Sequence, residues 1–187
     1  MITPDRHASE TDDRPLAERT RAAILDIADF PRAGILFRDI TPLLGDAALL
    51  DEVLAEMTRP FATCGVTHVL GIESRGFLFG VPIAQRLRLP FVPARKPGKL
   101  PRATVSESFA LEYGSDSLSV HADAIGRDCN VLIVDDVLAT GGTAAAAIRL
   151  VERLGARVAG LSMLSELTFL NGRAMLGDRT LHSVVQY

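Results

Sequence analysis

The segment Val131-Leu132-Ile133-Val134-Asp135-Asp136-Val137-Leu138-Ala139-Thr140-Gly141-Gly142-Thr143 restricts the possible folds of this chain more than any other. Its four leading apolar residues read as a strand covered on both faces, because an uninterrupted apolar run leaves no side for water. Two carboxylates stand at the exit of that strand. A turn rich in Thr and Gly then opens an Ala-rich helix, predicted over residues 143–154 and stopped by Gly155.

The chemistry of this segment follows from the same pattern. The start of a helix presents amide N–H groups without helical partners and a partial positive charge. Gly141 and Gly142 let the backbone approach an oxyanion, and Thr140 and Thr143 add hydroxyl donors. The result is a cradle for one phosphate. No Lys follows the glycines, so the nucleotide P-loop pattern is absent. Asp135 and Asp136 repel a phosphate but can accept hydrogen bonds from a sugar diol nearby, or help to hold Mg2+. A phosphate cradle beside a diol acceptor describes a site for a ribose 5-phosphate group.

Strands and helices alternate through the rest of the chain. Strands are predicted over residues 67–72, 90–94, 131–134 and 157–164, and helices over 15–27, 46–61 and 77–87, the last with Pro82 in its first turns. Leu16, Ala23, Ile24 and Ile27 can share one face of the first helix, and residues 29–34 form a loop of Pro and Gly. This alternation predicts an α/β fold, a doubly wound, mainly parallel sheet with helices on both faces. Ligands of such sheets bind beyond the carboxyl ends of the strands, where the acidic pair falls. Residues 95–115 break the alternation. They start with Arg95, Lys96 and Lys99 and continue with β-type character at Val105, Phe109, Leu111 and Tyr113. Long excursions of this kind often cover a site.

Composition excludes several classes. With 48% hydrophobic and 23% charged residues the chain can bury an ordinary core. A net charge of -3 gives no basic surface for nucleic acid and no polybasic run for a membrane. No stretch approaches the roughly 20 apolar residues of a membrane span. Residues 1–14 are polar, read as a mobile extension, and lack the apolar segment of a signal peptide, so a cytoplasmic location is expected. Cys64 and Cys129 form no Cys-x-x-Cys and read as inert thiols, and His7, His68, His121 and His182 show no ligand spacing.

Two acidic residues followed by a Thr-Gly turn into a helix make the chain resemble the type I phosphoribosyltransferases. The likeness extends from about residue 29 to 187 and implies a single domain over residues 15–187. It implies a small hood at about 29–42 and a flexible lid loop at about 95–115. In that family the acidic pair, here Asp135 and Asp136, holds the ribose hydroxyls, and the loop from Ala139 through Thr140, Gly141 and Gly142 to Thr143 holds the 5-phosphate. The Gly71-Ile72-Glu73-Ser74-Arg75-Gly76 turn is similar to the pyrophosphate loop of the adenine-using members. By this resemblance Ser74, Arg75, Arg95, Lys96 and Lys99 meet pyrophosphate. The residue matching Arg95 reaches the neighbouring subunit's site, which implies a homodimer.

The resemblance also assigns the base. Glu112 is implied as the catalytic carboxylate facing N7 of adenine, with Tyr113 closing the lid. Leu36, Phe37 and Arg38 are implied in reading adenine, Phe37 stacking on one face of the purine and Leu167 pressing on the other. Members that use 6-oxopurines usually carry Asp where this chain has Ala139. The implied reaction joins adenine to phosphoribosyl pyrophosphate, giving AMP and pyrophosphate, with Mg2+ held mainly through substrate and water and no direct protein ligand. A 6-oxopurine phosphoribosyltransferase is the first alternative, opposed by Ala139 and the Leu111-Glu112-Tyr113-Gly114 string. A regulator sensing phosphoribosyl pyrophosphate is the second, opposed by acidic charge and an N-terminal extension too short for a DNA-binding module. A phospho-acceptor signalling domain is the third. Its acidic pair belongs to a first strand and lacks the Thr-Gly-Gly-Thr cradle.

Overall fold

The computed structural model describes residues 12–110 and 115–187. His7 and most of the expected N-terminal extension lie outside the described residues, as do Leu111, Glu112, Tyr113 and Gly114. The chain divides into two compact units between Leu50 and Asp51.

The first unit holds helix α1 (Leu16–Ala22), strands β1 (Leu25–Ala28) and β2 (Leu36–Asp39), and helix α2 (Thr41–Gly45). The helix expected over residues 15–27 is thus corrected to seven residues followed by a strand. Ile24 and Ile27 fit a helical face, yet β1 pairs antiparallel with β2 from Leu25↔Asp39 to Ala28↔Leu36. That pairing satisfies the backbone groups of two segments at once, which outweighs a weak local periodicity. The loop between them is tied by the Gly34 N–H donating to Asp29 Oδ1 at 2.8 Å.

Helix α3 (Ala47–Thr58) ends in a 3-10 turn, Arg59–Phe61, as the apolar pattern over 46–61 predicts. The second unit is then built on β3 (His68–Ile72), α4 (Gly76–Leu87), β4 (Phe91–Ala94), β5 (Thr104–Ala110), β6 (Ser115–His121), β7 (Asn130–Leu138), α5 (Gly142–Arg153), β8 (Arg157–Glu166) and β9 (Leu181–Gln186). Five strands form one sheet in the order β4-β3-β7-β8-β9, and every neighbouring pair is parallel. The hydrophobic centre of the sheet is β7, where Val131, Leu132, Ile133 and Val134 are all fully buried.

Layers cover both faces of this sheet. On one, Ala146, Ile148, Leu150 and Val151 of α5 pack with Leu70, Ile72, Val131 and Ile133. The hairpin of β5 and β6 joins this layer through Leu118 and Val120. Arg153 of α5 reaches Glu107 of β5 at 3.0 Å and holds the Ser106 carbonyl at 3.1 Å. Residues 95–115, expected as an excursion, are therefore partly a paired strand. The opposite face carries α4 and the end of α3, where Ser162 Oγ donates to the Met57 carbonyl at 2.7 Å.

Close approach of α4 to the sheet depends on two glycines. A Cβ on Gly71 of β3 would stand 2.7 Å from the Phe91 ring, and one on Gly80 of α4 would stand 2.8 Å from it. The ring of Phe91 fills the space that both leave open. Pro82, seven residues into α4, sits deeper than the first turn and removes one helical hydrogen bond. Gly80→Ala is expected to lower stability: overpacking costs about 1–3 kcal/mol, against a gain of up to about 1 kcal/mol in helix propensity. Denaturant unfolding of Gly80→Ala with and without Phe91→Leu checks this. The second substitution should recover part of the loss, and simple additivity would mean that the ring is not the obstacle.

Candidate active site

The sequence pattern places Asp135 and Asp136 at the exit of a strand ending at Val134. The strand instead runs on to Leu138, because β8 stays paired beside it through Leu138↔Glu166. The acidic pair is thus held inside the sheet, three residues short of the turn, on backbone fixed by neighbours. Beyond it the chain turns through Ala139, Thr140 and Gly141 into α5. A pocket of about 140 Å³ opens there, lined by Asp135, Val137 and Leu138, by the turn from Ala139 to Gly142, and by Thr143 and Ala144. Helix geometry leaves the first amide groups of α5 free of helical carbonyls, so the pocket has a floor of N–H donors.

Gly141 is required where it stands. Its φ of +86° is left-handed, and a Cβ on it would lie 2.4 Å from the Gly172 carbonyl oxygen. Gly76 is constrained by β7 itself. A Cβ there would meet the Val134 carbonyl at 2.7 Å and Asp135 Oδ1 at 2.9 Å. The start of α4 is therefore pressed against Asp135.

The two carboxylates have different surroundings. Asp135 lines the pocket, and its Oδ1 accepts the N–H of Asp136 at 2.9 Å. Asp136 is buried and pairs with Arg75, Nη2 to Oδ2 at 2.7 Å. Burial pushes both carboxyls above the ordinary range. The charge of Asp136 pushes Asp135 up further, while Arg75 pulls Asp136 back down. Arg75, expected at pyrophosphate, and Asp136, expected at the ribose, thus meet each other.

The basic segment is organised in the same way. Glu73, whose side chain is 8% exposed, accepts from Lys99 Nζ at 2.6 Å, from the Lys96 N–H at 2.9 Å and from Arg95 Nη2 at 3.3 Å. Burial alone would raise the Glu73 carboxyl, but the bonds from Lys99, Lys96 and Arg95 outweigh it and bring it down to about 2. Lys96 Nζ pairs with Asp116 of β6 at 3.1 Å. The backbone of Arg95 is clamped to Ser119 by bonds of 2.8 and 2.7 Å. Ser74 is exposed beside these groups, after a cis peptide bond with Glu73. Arg75, Arg95, Lys96 and Lys99 therefore each face a carboxylate of their own chain.

The residues expected at the base are distributed over both units. Leu36 is exposed, Phe37 meets Phe30 edge to face with ring centres 5.1 Å apart, and Arg38 pairs with Asp26. In the second unit Leu167 follows β8 directly, and its N–H donates to the Leu138 carbonyl at 2.9 Å, which places it beside the pocket wall. Glu112 and Tyr113 lie outside the described residues. Among the described residues no three His, Cys, Asp or Glu side chains are placed to hold a metal ion, and no helix is long and apolar enough to cross a membrane. Cys64 and Cys129 are free thiols.

The sequence pattern assigns no role to Glu73 or Glu166, two carboxylates next to the site whose side chains are 8% and 3% exposed. Glu73 stands in the quoted turn, but its partners lie 22 to 26 residues on, at a distance no local pattern reports. Glu166 had a weaker signal, an acidic residue ending an apolar strand.

Comparison with known proteins agrees with this geometry. Residues 48–166 match the model of the phosphoribosyl transferase domain. An adenine phosphoribosyltransferase of Nitrosococcus oceani is 52% identical over 170 residues, covering 91% of this chain and 99% of the relative. The crystal structure of the adenine phosphoribosyltransferase of Rhodothermus marinus is 49% identical and superposes with a TM-score of 0.89 over 92% of this chain and 98% of its own. That of Trypanosoma brucei, in complex with AMP, pyrophosphate and ribose 5-phosphate, is 26% identical, with a TM-score of 0.85 over 95% of this chain and 82% of its own. With a buried parallel sheet, an acidic pair in its central strand and a pocket at the following turn, the chain belongs to the phosphoribosyltransferase family, among the adenine phosphoribosyltransferases.

Proposed function

We propose that this chain transfers the phosphoribosyl group of phosphoribosyl pyrophosphate to adenine, forming AMP and pyrophosphate, a step of purine salvage. The pocket at the head of α5 carries this reading, because it combines amide donors, two threonine hydroxyls and the Asp135 carboxylate within one ribose phosphate's reach. The 5-phosphate sits on the turn from Ala139 to Thr143. Asp135 and Asp136 take the ribose hydroxyls. Pyrophosphate lies toward Ser74, Arg75, Lys96 and Lys99, with Arg95 of one subunit serving the site of the other in a homodimer. The domain comprises residues 15–187, with the hood at about 29–42 and the lid at about 95–115, in a cytoplasmic enzyme.

Binding on this scheme is an exchange of partners. Pyrophosphate takes over cations that Glu73 and Asp116 hold in the free chain, and the hydroxyls take over Asp136 from Arg75. Departure of pyrophosphate leaves cationic character on C1 of the ribose, and the guanidinium and ammonium groups offset the charge growing on the leaving group. Mg2+, held mainly through substrate and water, would supply further charge neutralisation, and the hard carboxylate oxygen of Asp135 lining the pocket would suit the waters of such an ion. Adenine, with Leu167 as its proposed contact in the second unit, attacks C1 through N9 from the face opposite the departing pyrophosphate. Glu112 accepts the proton from N7, and Tyr113 helps the lid to exclude water.

The reading is tested by incubating the protein with phosphoribosyl pyrophosphate, Mg2+ and each purine base in turn. AMP from adenine is the expected product, and a nucleotide from hypoxanthine or guanine in its place would overturn the choice of base. Glu112→Leu is expected to lower kcat by roughly 10²–10⁴ while substrate affinity is largely kept, and steady-state kinetics with unchanged kcat would remove Glu112 from the chemistry. Glu73 gives a pH signature. Its carboxyl is lowered in the folded chain to about 2 from 4.5, so the stability it adds is complete above the unfolded value and fades as pH falls through that interval. The stability difference between the parent chain and Glu73→Gln should stay level above about pH 5 and shrink below it, as followed by denaturant unfolding. A difference that grows toward acid would contradict the arrangement.

A further inference from the structure

Glu166 ends β8 directly beside Leu138, the last residue of β7 before the turn. It is 2% exposed, and a carboxylate that deep needs several partners. Arg173 supplies two, Nε at 2.6 Å and Nη2 at 2.7 Å, in the two-pronged geometry that fixes a guanidinium in direction as well as distance. Ser183 of β9 adds a third at 3.0 Å and Gln186 a fourth at 3.4 Å. The Glu166 carboxyl accordingly lies below its ordinary range, chiefly through the Arg173 bonds.

What Arg173 fixes is its neighbour. Gly172 lies directly against the turn: a Cβ on it would be 2.2 Å from the Ala139 carbonyl oxygen and 3.1 Å from the Gly141 nitrogen. The reverse contact is as close, Gly141 against the Gly172 carbonyl. Two backbones touch here with no side chain between them, so any shift of residue 172 is passed on to Ala139 and Gly141. Interiors packed this tightly transmit displacement instead of absorbing it.

We propose that Arg173 and Glu166 are positioning residues for the anion-binding turn, holding its backbone donors in the shape that grips the 5-phosphate of the substrate. The inference rests on the reading of that turn as the 5-phosphate site. Neither side chain touches substrate; they act through Gly172. Loosening the brace should therefore affect the phosphate end of the substrate selectively and leave the pyrophosphate end alone.

The test compares Arg173→Gln, Arg173→Lys and the double variant Glu166→Gln with Arg173→Gln, which leaves no unpaired buried charge. Calorimetric titrations use ribose 5-phosphate and, separately, pyrophosphate, beside steady-state kinetics and thermal unfolding. Arg173→Gln and the double variant are expected to bind ribose 5-phosphate roughly tenfold more weakly and to raise KM for phosphoribosyl pyrophosphate in step. Their kcat should stay within about threefold and their pyrophosphate affinity should not move. Arg173→Lys should fall between, since an ammonium keeps the charge and loses the fork. Unchanged ribose 5-phosphate affinity in both uncharged variants overturns the proposal, as does an equal loss for pyrophosphate that follows the melting temperature. A parent protein whose ribose 5-phosphate affinity ignores Thr140→Val and Thr143→Val overturns the phosphate reading itself.

Discussion

The backbone turn between β7 and α5 is the constraint on which the rest of the second unit depends. Its shape is set by contact between main chains at Gly141 and Gly172. Everything around that contact is stiff: β7 is buried and paired on both sides, and α5 is packed by its alanines. An anion site made of amides works only if the amides are already aimed, because reorienting them on binding would consume the affinity they provide. A rigid sheet with a glycine contact at its end meets that need.

Electrostatics around the turn follow a second rule. A site for a multiply charged anion needs several cations, and cations left together would repel and destabilise the free protein. Here Arg75 is paired with Asp136, Arg95 and Lys99 with Glu73, and Lys96 with Asp116. The carboxylates hold the cations near one another and keep their side chains ordered. This arrangement lowers the cost of assembling the charge in the free chain.

The candidate residues differ in the elements that carry them. The acidic pair and the turn sit on a central strand and the helix after it, where backbone is best determined. The cations sit on the turn after β3 and the segment after β4, tied back by the Arg95–Ser119 backbone bonds. Leu36, Phe37 and Arg38 stand on the β1–β2 hairpin of the first unit. The candidate residues of the second unit thus stand on its buried central strand and the segments beside it, and those of the first unit on a hairpin.

Much of this was legible in the sequence. The four-residue apolar run, the acidic pair and the Thr-Gly turn specify strand, carboxylates and helix start through local geometry alone, since each depends on residues within a few positions. The alternation of apolar segments gave the parallel sheet for the same reason. Tertiary structure decided the rest. Residues 25–27 carry a helical pattern and form part of β1, because β2 offers hydrogen bonds that a helix end lacks. The acidic pair lies within β7 and not beyond it, because β8 continues alongside. The partners of Glu73, Arg75 and Glu166 are set by which chain segments the sheet brings together. Local sequence determines what a residue can do, and long-range packing chooses the partner it does it with, since ion pairs and main-chain contacts form across space without regard to order along the chain.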